Sequence, residues 1–518
     1  MTDSVAIIGA GIGGLSAAMR LAHSGLRVTV LERHAAPGGK MRTVRSLAGP
    51  VDAGPTVLTL LPLFEELFDA CGLRLADHVA LHPVDTLARH RWQDGTCLDL
   101  FSDFERSRDA IGAVMGRQAA EQFARFHLRA ERLFAAVEQP MLRERAPSPG
   151  RMTGLVLRQP WLVPALAPGK SLSQSLAAQF RDKRLAQLFG RYATYVGGHP
   201  NASPALLMLI WHAESRGVWR VEGGMHALAR AMEGAARGMG AVFRYGAEAE
   251  EIEAEGGRVR AVRAGGERIP CDAVIFNGDP AALRSGLLGE ATRDAVPERA
   301  VRPRSLSAYV WSFAGRASGH DIEHHNVYFG REPNSEFDDI AEGRMPRDPT
   351  LYLCAQDHGR PADGRAGGPQ RFQIIMNGPT RAETTPRGEE GTLCRTITFG
   401  MLSRMGLTLD PMPEQDALTT PEGFNALFPG SEGALYGLSP HGMMSAFRRP
   451  QARTDLDGLY LAGGGAHPGA GIPMASLSGR HAAEAIMQDL ASTSRSRPGA
   501  TGGGTSTGSR RTAAAPSR

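Results

Sequence analysis

Gly9-Ala10-Gly11-Ile12-Gly13-Gly14 is followed, 18 residues after Gly14, by Glu32. At this spacing glycines handle phosphate chemistry without side chains. Gly9 permits a tight turn, Gly11 lets the backbone approach a pyrophosphate, and Gly14 lets a helix pack closely on the preceding strand. The phosphates then rest on the helix N-terminus, against amides such as those of Ala10 and Gly13, while Glu32 accepts ribose hydroxyls. Context gives the pattern its weight. The apolar run Ser4–Ile8 precedes it, Leu15, Ala18, Met19 and Ala22 follow at helical spacing up to Gly25, and Arg27–Leu31 is a second apolar run. Together they predict a β-α-β unit that binds a dinucleotide.

Three more runs choose between a nicotinamide and a flavin. Arg33 leads into Gly38-Gly39-Lys40, a loop able to pass close to the same pyrophosphate. Asp52-Ala53-Gly54-Pro55-Thr56 adds a second glycine turn. Near the other end, the apolar run Gly458–Ala462 opens into a glycine-dense loop containing Gly463, Gly464 and Gly471, and Ile472 and Pro473 lead into a helix. That N-terminus can face a flavin ring and stabilise the negative charge it gains on reduction. A second GxGxxG is missing from the sequence. The expectation is therefore bound FAD that takes electrons from the substrate and passes them to oxygen or a quinone.

The remaining reactive residues give less. There is no Ser/His/Asp triad, no paired-carboxylate signature and no useful metal-ligand spacing, so no metal is expected. His320-Asp-Ile-Glu-His-His325 reads as a polar surface loop. A proton acceptor could be His467, beside the late glycine loop, or Glu214; the sequence leaves both open.

The elements that must position these residues are spread along the chain. The fold class is α/β: a Rossmann-like FAD-binding domain assembled from 1–60, 221–282 and 441–490, with an inserted mixed α+β substrate domain from 61–220 and 283–440 and a helical cap. Leu58–Cys71, Phe104–Val137 and Arg181–Thr194 read as helices, and 138–170, rich in proline, as a loop-rich insertion. A glycine pair and an alanine-rich helix occupy Val221–Gly240. Ala241–Tyr245, Glu250–Ile269 and Ala273–Phe276 read as strands, and 305–445 resists parsing. Residues 491–518 hold Ser, Thr, Gly, Ala, Pro and five arginines without an acid, and read as a disordered tail.

Composition narrows the class. With 518 residues, 42% hydrophobic and 22% charged, the chain supports large cores, and a net charge of +4 gives no global reason to expect nucleic acid. Five dispersed cysteines form no CxxC, which suits a reducing cytoplasm. No signal peptide or bilayer-spanning apolar run is read; the longest candidate, Leu155–Ala167, is broken by Arg158, Pro160 and Pro164.

Taken together these runs resemble the phytoene desaturase-type carotenoid desaturases of the amine oxidase-like FAD superfamily, over residues 4–490. Further marks are Val221-Glu-Gly-Gly-Met-His-Ala-Leu228, Tyr192–Ala205, Asn277-Gly-Asp-Pro280 and His467–Pro473. Two stretches, Leu206–Glu214 and Ile472–Arg480, look most like 1-hydroxycarotenoid 3,4-desaturases of the methoxyneurosporene dehydrogenase type. The resemblance implies an acyclic carotenoid substrate and an adenine site near Ala249. It also implies an enzyme peripherally associated with the inner membrane, with the apolar region 152–168 as the contact. Phytoene desaturation and a cis–trans isomerisation using reduced FAD remain the alternatives.

Overall fold

A computed structural model describes residues 3–359, 368–380 and 389–495. Its first sheet is parallel and five-stranded, in the order Leu459–Leu461, Ala273–Phe276, Ser4–Ile8, Arg27–Glu32, Val242–Tyr245. Ile7 pairs with Ile275 on one side and with Val30 on the other. The central strands are buried on both faces, which is why their sequences are continuous apolar runs. Sequence-distant segments thus meet in one sheet. The helices Ile12–His23 and Ile472–Arg495 pack side by side on it.

Beside this sheet lies an antiparallel meander, Ala249–Glu255, Arg258–Ala264 and Glu267–Pro270. Its turns are the glycine pairs at 256–257 and 265–266, all with positive φ.

The third layer is a larger sheet in the order Leu407–Asp410, Ser307–Gly319, Gln370–Gly378, Leu351–Ala355, His325–Tyr328, Thr86–Arg91, Cys97–Phe101, with Leu418–Thr419 pairing on Ser307–Gly319. Most of it falls in 305–445, which the sequence did not resolve. The reason is physical: Ser307–Gly315 is buried on both faces, so the period-2 alternation that marks a half-exposed strand is missing. Thr86–Arg91 carries no clear strand signal in the sequence because its polar residues are paired inside the structure. Arg89 binds Asp99 at 2.8 Å and Glu323 at 3.1 Å, and His90 is buried.

Several boundaries change. The expected helix over 104–137 is two, Phe104–Met115 and Arg117–Glu138, broken at Gly116 (φ 89°). The loop-rich reading of 138–170 is corrected to a π-turn at Gln139–Arg143 and two short helices, Pro149–Arg158 and Leu162–Leu166. Prolines 149 and 164 sit within the first three positions of those helices, where a missing N–H costs little. Residues 491–495 belong to the last helix rather than to a tail, and 496–518 lie outside the described residues.

Candidate functional site

Burial and tight backbone contacts build the nucleotide loops. Gly11 forms a parallel bridge with Gly38, and the Gly38 N–H donates to the Ala10 carbonyl at 2.8 Å. A Cβ on Gly14 would lie 2.2 Å from the Gly9 carbonyl, and one on Gly54 would lie 1.7 Å from the carbonyl of Lys40. The loops around Gly9, Gly39 and Gly54 are therefore packed backbone to backbone. Asn277 pins them from the next strand: its Nδ2 donates to Gly9 O at 2.9 Å, while its buried Oδ1 has no partner. In the sequence Asn277 carries no signal for this role beyond its place in Asn277-Gly-Asp-Pro280.

Glu32 is buried, and its two oxygens accept the N–H of Ala10 at 2.7 Å and of His34 at 2.9 Å. Each oxygen keeps a second lone pair for a hydroxyl. Arg33 turns outward, 3.5 Å from Glu248. Ala249 begins the meander, half-buried. Asp52 caps the helix Met225–Gly238 by accepting the Met225 N–H at 2.7 Å, and Gln356 bonds both backbone groups of Asp52. In the late loop, Gly463 N–H donates to Ser478 Oγ at 2.7 Å and the Gly464 carbonyl accepts from Arg449 at 2.7 Å; Gly471 (φ 104°) precedes the buried Ile472 and Pro473.

Lys40, Arg191, Tyr195, Tyr352 and Tyr436 lie deep in the molecule, yet each keeps part of its surface uncovered. Tyr195 and Tyr352 pack against the apolar core of the cap. Lys40 Nζ donates to Leu435 O at 2.5 Å, and burial brings its ammonium down to about 8. Val57, Leu206, Leu207 and Ile210 are partly buried against the same core.

The two candidate bases differ sharply. His467 is buried with its Nε2 2.9 Å from Glu144 O, so that nitrogen carries the proton; its ring stacks at 5.5 Å on His481, whose Nε2 contacts Arg143 O at 3.2 Å. Burial brings both imidazoles down to about 4. His467 thus clamps the π-turn and is a poor proton acceptor. Glu214 is buried. It accepts hydrogen bonds from Tyr192 and, at 3.2 Å, from Tyr195, and Arg191 donates to Tyr195 at 2.8 Å. Desolvation raises its pKa, opposed by Arg191 and both phenols.

The reading of 320–325 as a surface loop fails at its end. His325 is buried on a strand, and donor atoms of His324, His325 and Cys354 lie within 4.8 Å of one another. Burial pushes the Cys354 thiol up to about 12, which keeps the sulfur protonated. All five cysteines are free thiols.

A sequence profile of the flavin containing amine oxidoreductases matches residues 12–309. The chain is 53% identical over 496 residues (96% of this chain, 99% of the relative) to the hydroxyneurosporene desaturase of Cereibacter sphaeroides. It is 50% identical over 493 residues, 95% and 99% covered, to the protein of the same name from Rhodobacter capsulatus. The chain belongs to the flavin-containing amine oxidoreductases, in their carotenoid desaturase branch. Among solved structures, an oxidoreductase from Methanosarcina mazei matches 94% of this chain and 100% of its own, with a TM-score of 0.58 at 16% identity. Cyclohexylamine oxidase from Brevibacterium oxydans matches 95% and 100%, with a TM-score of 0.57 at 16% identity. Both share the fold.

FAD is the cofactor of this desaturase-branch oxidoreductase, which acts on CH–CH groups. The residues present fit it. Gly9, Gly11, Gly38 and Gly39 leave the phosphate cradle without a Cβ, Glu32 retains acceptor capacity, and the unpaired Asn277 Oδ1 sits between the two glycine loops. Bound there, FAD supplies a hydride acceptor.

Proposed function

We propose that this enzyme introduces a C3–C4 double bond into an acyclic 1-hydroxycarotenoid such as 1-hydroxyneurosporene. The observation that carries the reading is the match to hydroxyneurosporene desaturases along nearly the whole chain, at up to 53% identity. Partly buried apolar side chains of the cap, with the isolated phenols of Tyr195 and Tyr352 among them, suit a long hydrocarbon bearing one hydroxyl.

The FAD-binding unit is assigned to 1–60, 221–282 and 441–490. Gly9, Ala10, Gly11, Gly13, Gly14, Glu32, Gly38, Gly39, Lys40, Gly54, Pro55, Thr56, Gly463, Gly464, Gly471, Ile472 and Pro473 serve the cofactor. Arg33 and Ala249 stand at its adenine side. The substrate unit is 61–220 with 283–440.

Loss of a hydride from one carbon requires loss of a proton from its neighbour. Glu214 is the assigned acceptor. Tyr195 is half-buried and donates to Glu214 Oε1 at 3.2 Å, so its oxygen can receive the substrate proton while its own proton moves to the carboxylate. Burial strengthens Glu214 as a base, and Arg191 holds Tyr195 in line.

Substrate enters at a small opening lined by Leu60, Leu63, Phe134, Leu142, Met474 and Leu477, with Glu138, Arg143 and Arg216 among its lining. Met474 directly follows Ile472 and Pro473. The enzyme rests on the cytoplasmic face of the inner membrane, and its electrons leave to oxygen or a quinone. No helix among the described residues is long and apolar enough to cross a membrane.

The test is conversion. FAD-loaded protein is incubated with liposomes carrying 1-hydroxyneurosporene under air or with a quinone. A product two hydrogens lighter with a red-shifted spectrum is expected. Unchanged mass with altered absorbance would instead indicate isomerisation, and conversion of phytoene alone would move the enzyme to an earlier step.

A further inference from the structure

A hydroxyl on C1 lies three single bonds of ~1.5 Å from C3, hence within about 4 Å of it. Any group that reads this hydroxyl must therefore stand beside the reacting carbons, not at the far end of a tunnel. In an apolar lining such a group is conspicuous.

Tyr352 meets the description. Its phenol lies deep in the molecule and is partly uncovered, on the strand Leu351–Ala355, where it packs against the apolar core of the cap. Thr56 Oγ1 at 2.7 Å and His325 Nδ1 at 2.7 Å hold the oxygen, with the Cys354 thiol beside it. Thr56 ends the Asp52–Thr56 loop, which packs on the Gly38–Met41 loop and whose Gly54 carbonyl accepts from Gln373 at 2.9 Å. The phenol is thus fixed against the nucleotide loops. Burial holds the His325 imidazole far below its ordinary range, so it is neutral. With Nδ1 accepting, the chain runs from Thr56 to Tyr352 to His325. A phenol that donates once and accepts once keeps one lone pair, and Thr56 Oγ1 keeps acceptor capacity as well. Tyr195 and Tyr352 pack against the same apolar core of the cap.

We propose that Tyr352, held between Thr56 and His325, accepts a hydrogen bond from the hydroxyl of the substrate and so sets both the choice of a hydroxylated carotenoid and the register of its C3–C4 bond. The inference rests on the functional reading above. The residue acts as a specificity determinant. A chain lacking the hydroxyl loses this bond and slides freely along the apolar lining. One neutral hydrogen bond corresponds to about a 10-fold preference.

The test compares kcat/KM for 1-hydroxyneurosporene and for neurosporene, the same chain without the hydroxyl, in wild type, Tyr352→Phe and Thr56→Val. Flavin content is checked first in each. In Tyr352→Phe the preference for the hydroxylated chain is expected to shrink by about 10-fold, mainly through KM, with some product desaturated at another bond. Wild type without any preference overturns the functional reading itself. A wild-type preference that persists in Tyr352→Phe overturns the inference alone, as does an equal loss on both substrates. If Tyr352→Phe does not fold, Thr56→Val decides by the same ratio.

Discussion

Gly479 lies against the carbonyl of Gly13: a Cβ on Gly479 would stand 2.1 Å from that oxygen and 2.9 Å from Ser16 Cβ. The helix Ile12–His23 and the last helix therefore meet backbone to backbone beside the first glycine turn. Ser16 Oγ donates to Ser476 O at 2.9 Å across the same contact. Gly479→Ala should force the helices apart, costing about 1–3 kcal/mol by overpacking and lowering the flavin-to-protein absorbance ratio. Gly234→Ala is the contrast. Its Cβ would meet nothing within 4 Å in the helix Met225–Gly238, so it should gain up to about 1 kcal/mol. Equal denaturation midpoints for the two variants would refute the argument.

The stacked pair His467–His481 makes stability depend on pH. Both groups sit near 4 in the folded chain and near 6.5 when exposed. Between those values the unfolded chain binds more protons, so stability falls as pH drops from about 6.5 toward 4 and is full above that window. The slope is on the order of 1 kcal/mol per pH unit for each imidazole. Thermal midpoints measured from pH 8 to 4.5 should decline below 6.5, and His481→Gln should flatten part of the decline. A decline unchanged in that variant would place the titration elsewhere.

How far the sequence could be read follows from where each signal resides. The glycine loops, Glu32 and the return at Gly463–Pro473 were legible because close backbone approach admits only glycine and leaves a fixed spacing. The large sheet was not. Its strands are buried on both faces or carry polar residues whose partners, such as Glu323 for Arg89, lie over 200 positions away. Distance likewise concealed Tyr352, whose partner Thr56 lies 296 positions away. Glu214 was singled out, but its phenol partners and Arg191 emerge only when the short helices of the cap are placed.

Glu214→Gln removes the acceptor while keeping the shape and the hydrogen-bonding reach of the side chain. kcat should fall by at least about 100-fold with flavin content retained. Because burial raises the pKa of Glu214, wild-type kcat should decline on the acid side, as pH falls through a value above the ordinary carboxylate range. In the variant that limb should vanish from the residual rate. An acid limb of unchanged position in Glu214→Gln, alongside its disappearance in His467→Gln, would transfer the role to His467.

Leu157, Trp161 and Val163 are 75%, 42% and 45% exposed on and between the helices Pro149–Arg158 and Leu162–Leu166. Large apolar side chains clustered in one short stretch are costly in water, and Arg151 and Arg158 on the same stretch can meet anionic headgroups. The stretch follows the π-turn Gln139–Arg143, which forms one wall of the apolar opening beside Met474 and is tied to the last helix and its loop by His467 and His481. A surface seated here on a bilayer would place the opening at the source of substrate. Flotation with liposomes containing anionic lipid should carry wild type upward, weakly at high salt because the arginine contribution is screened. Leu157→Ser with Trp161→Ser should remain at the bottom of the gradient and lose turnover on liposomal substrate more than on detergent-solubilised substrate. Co-flotation of the double variant with wild-type efficiency would mean that another face meets the membrane.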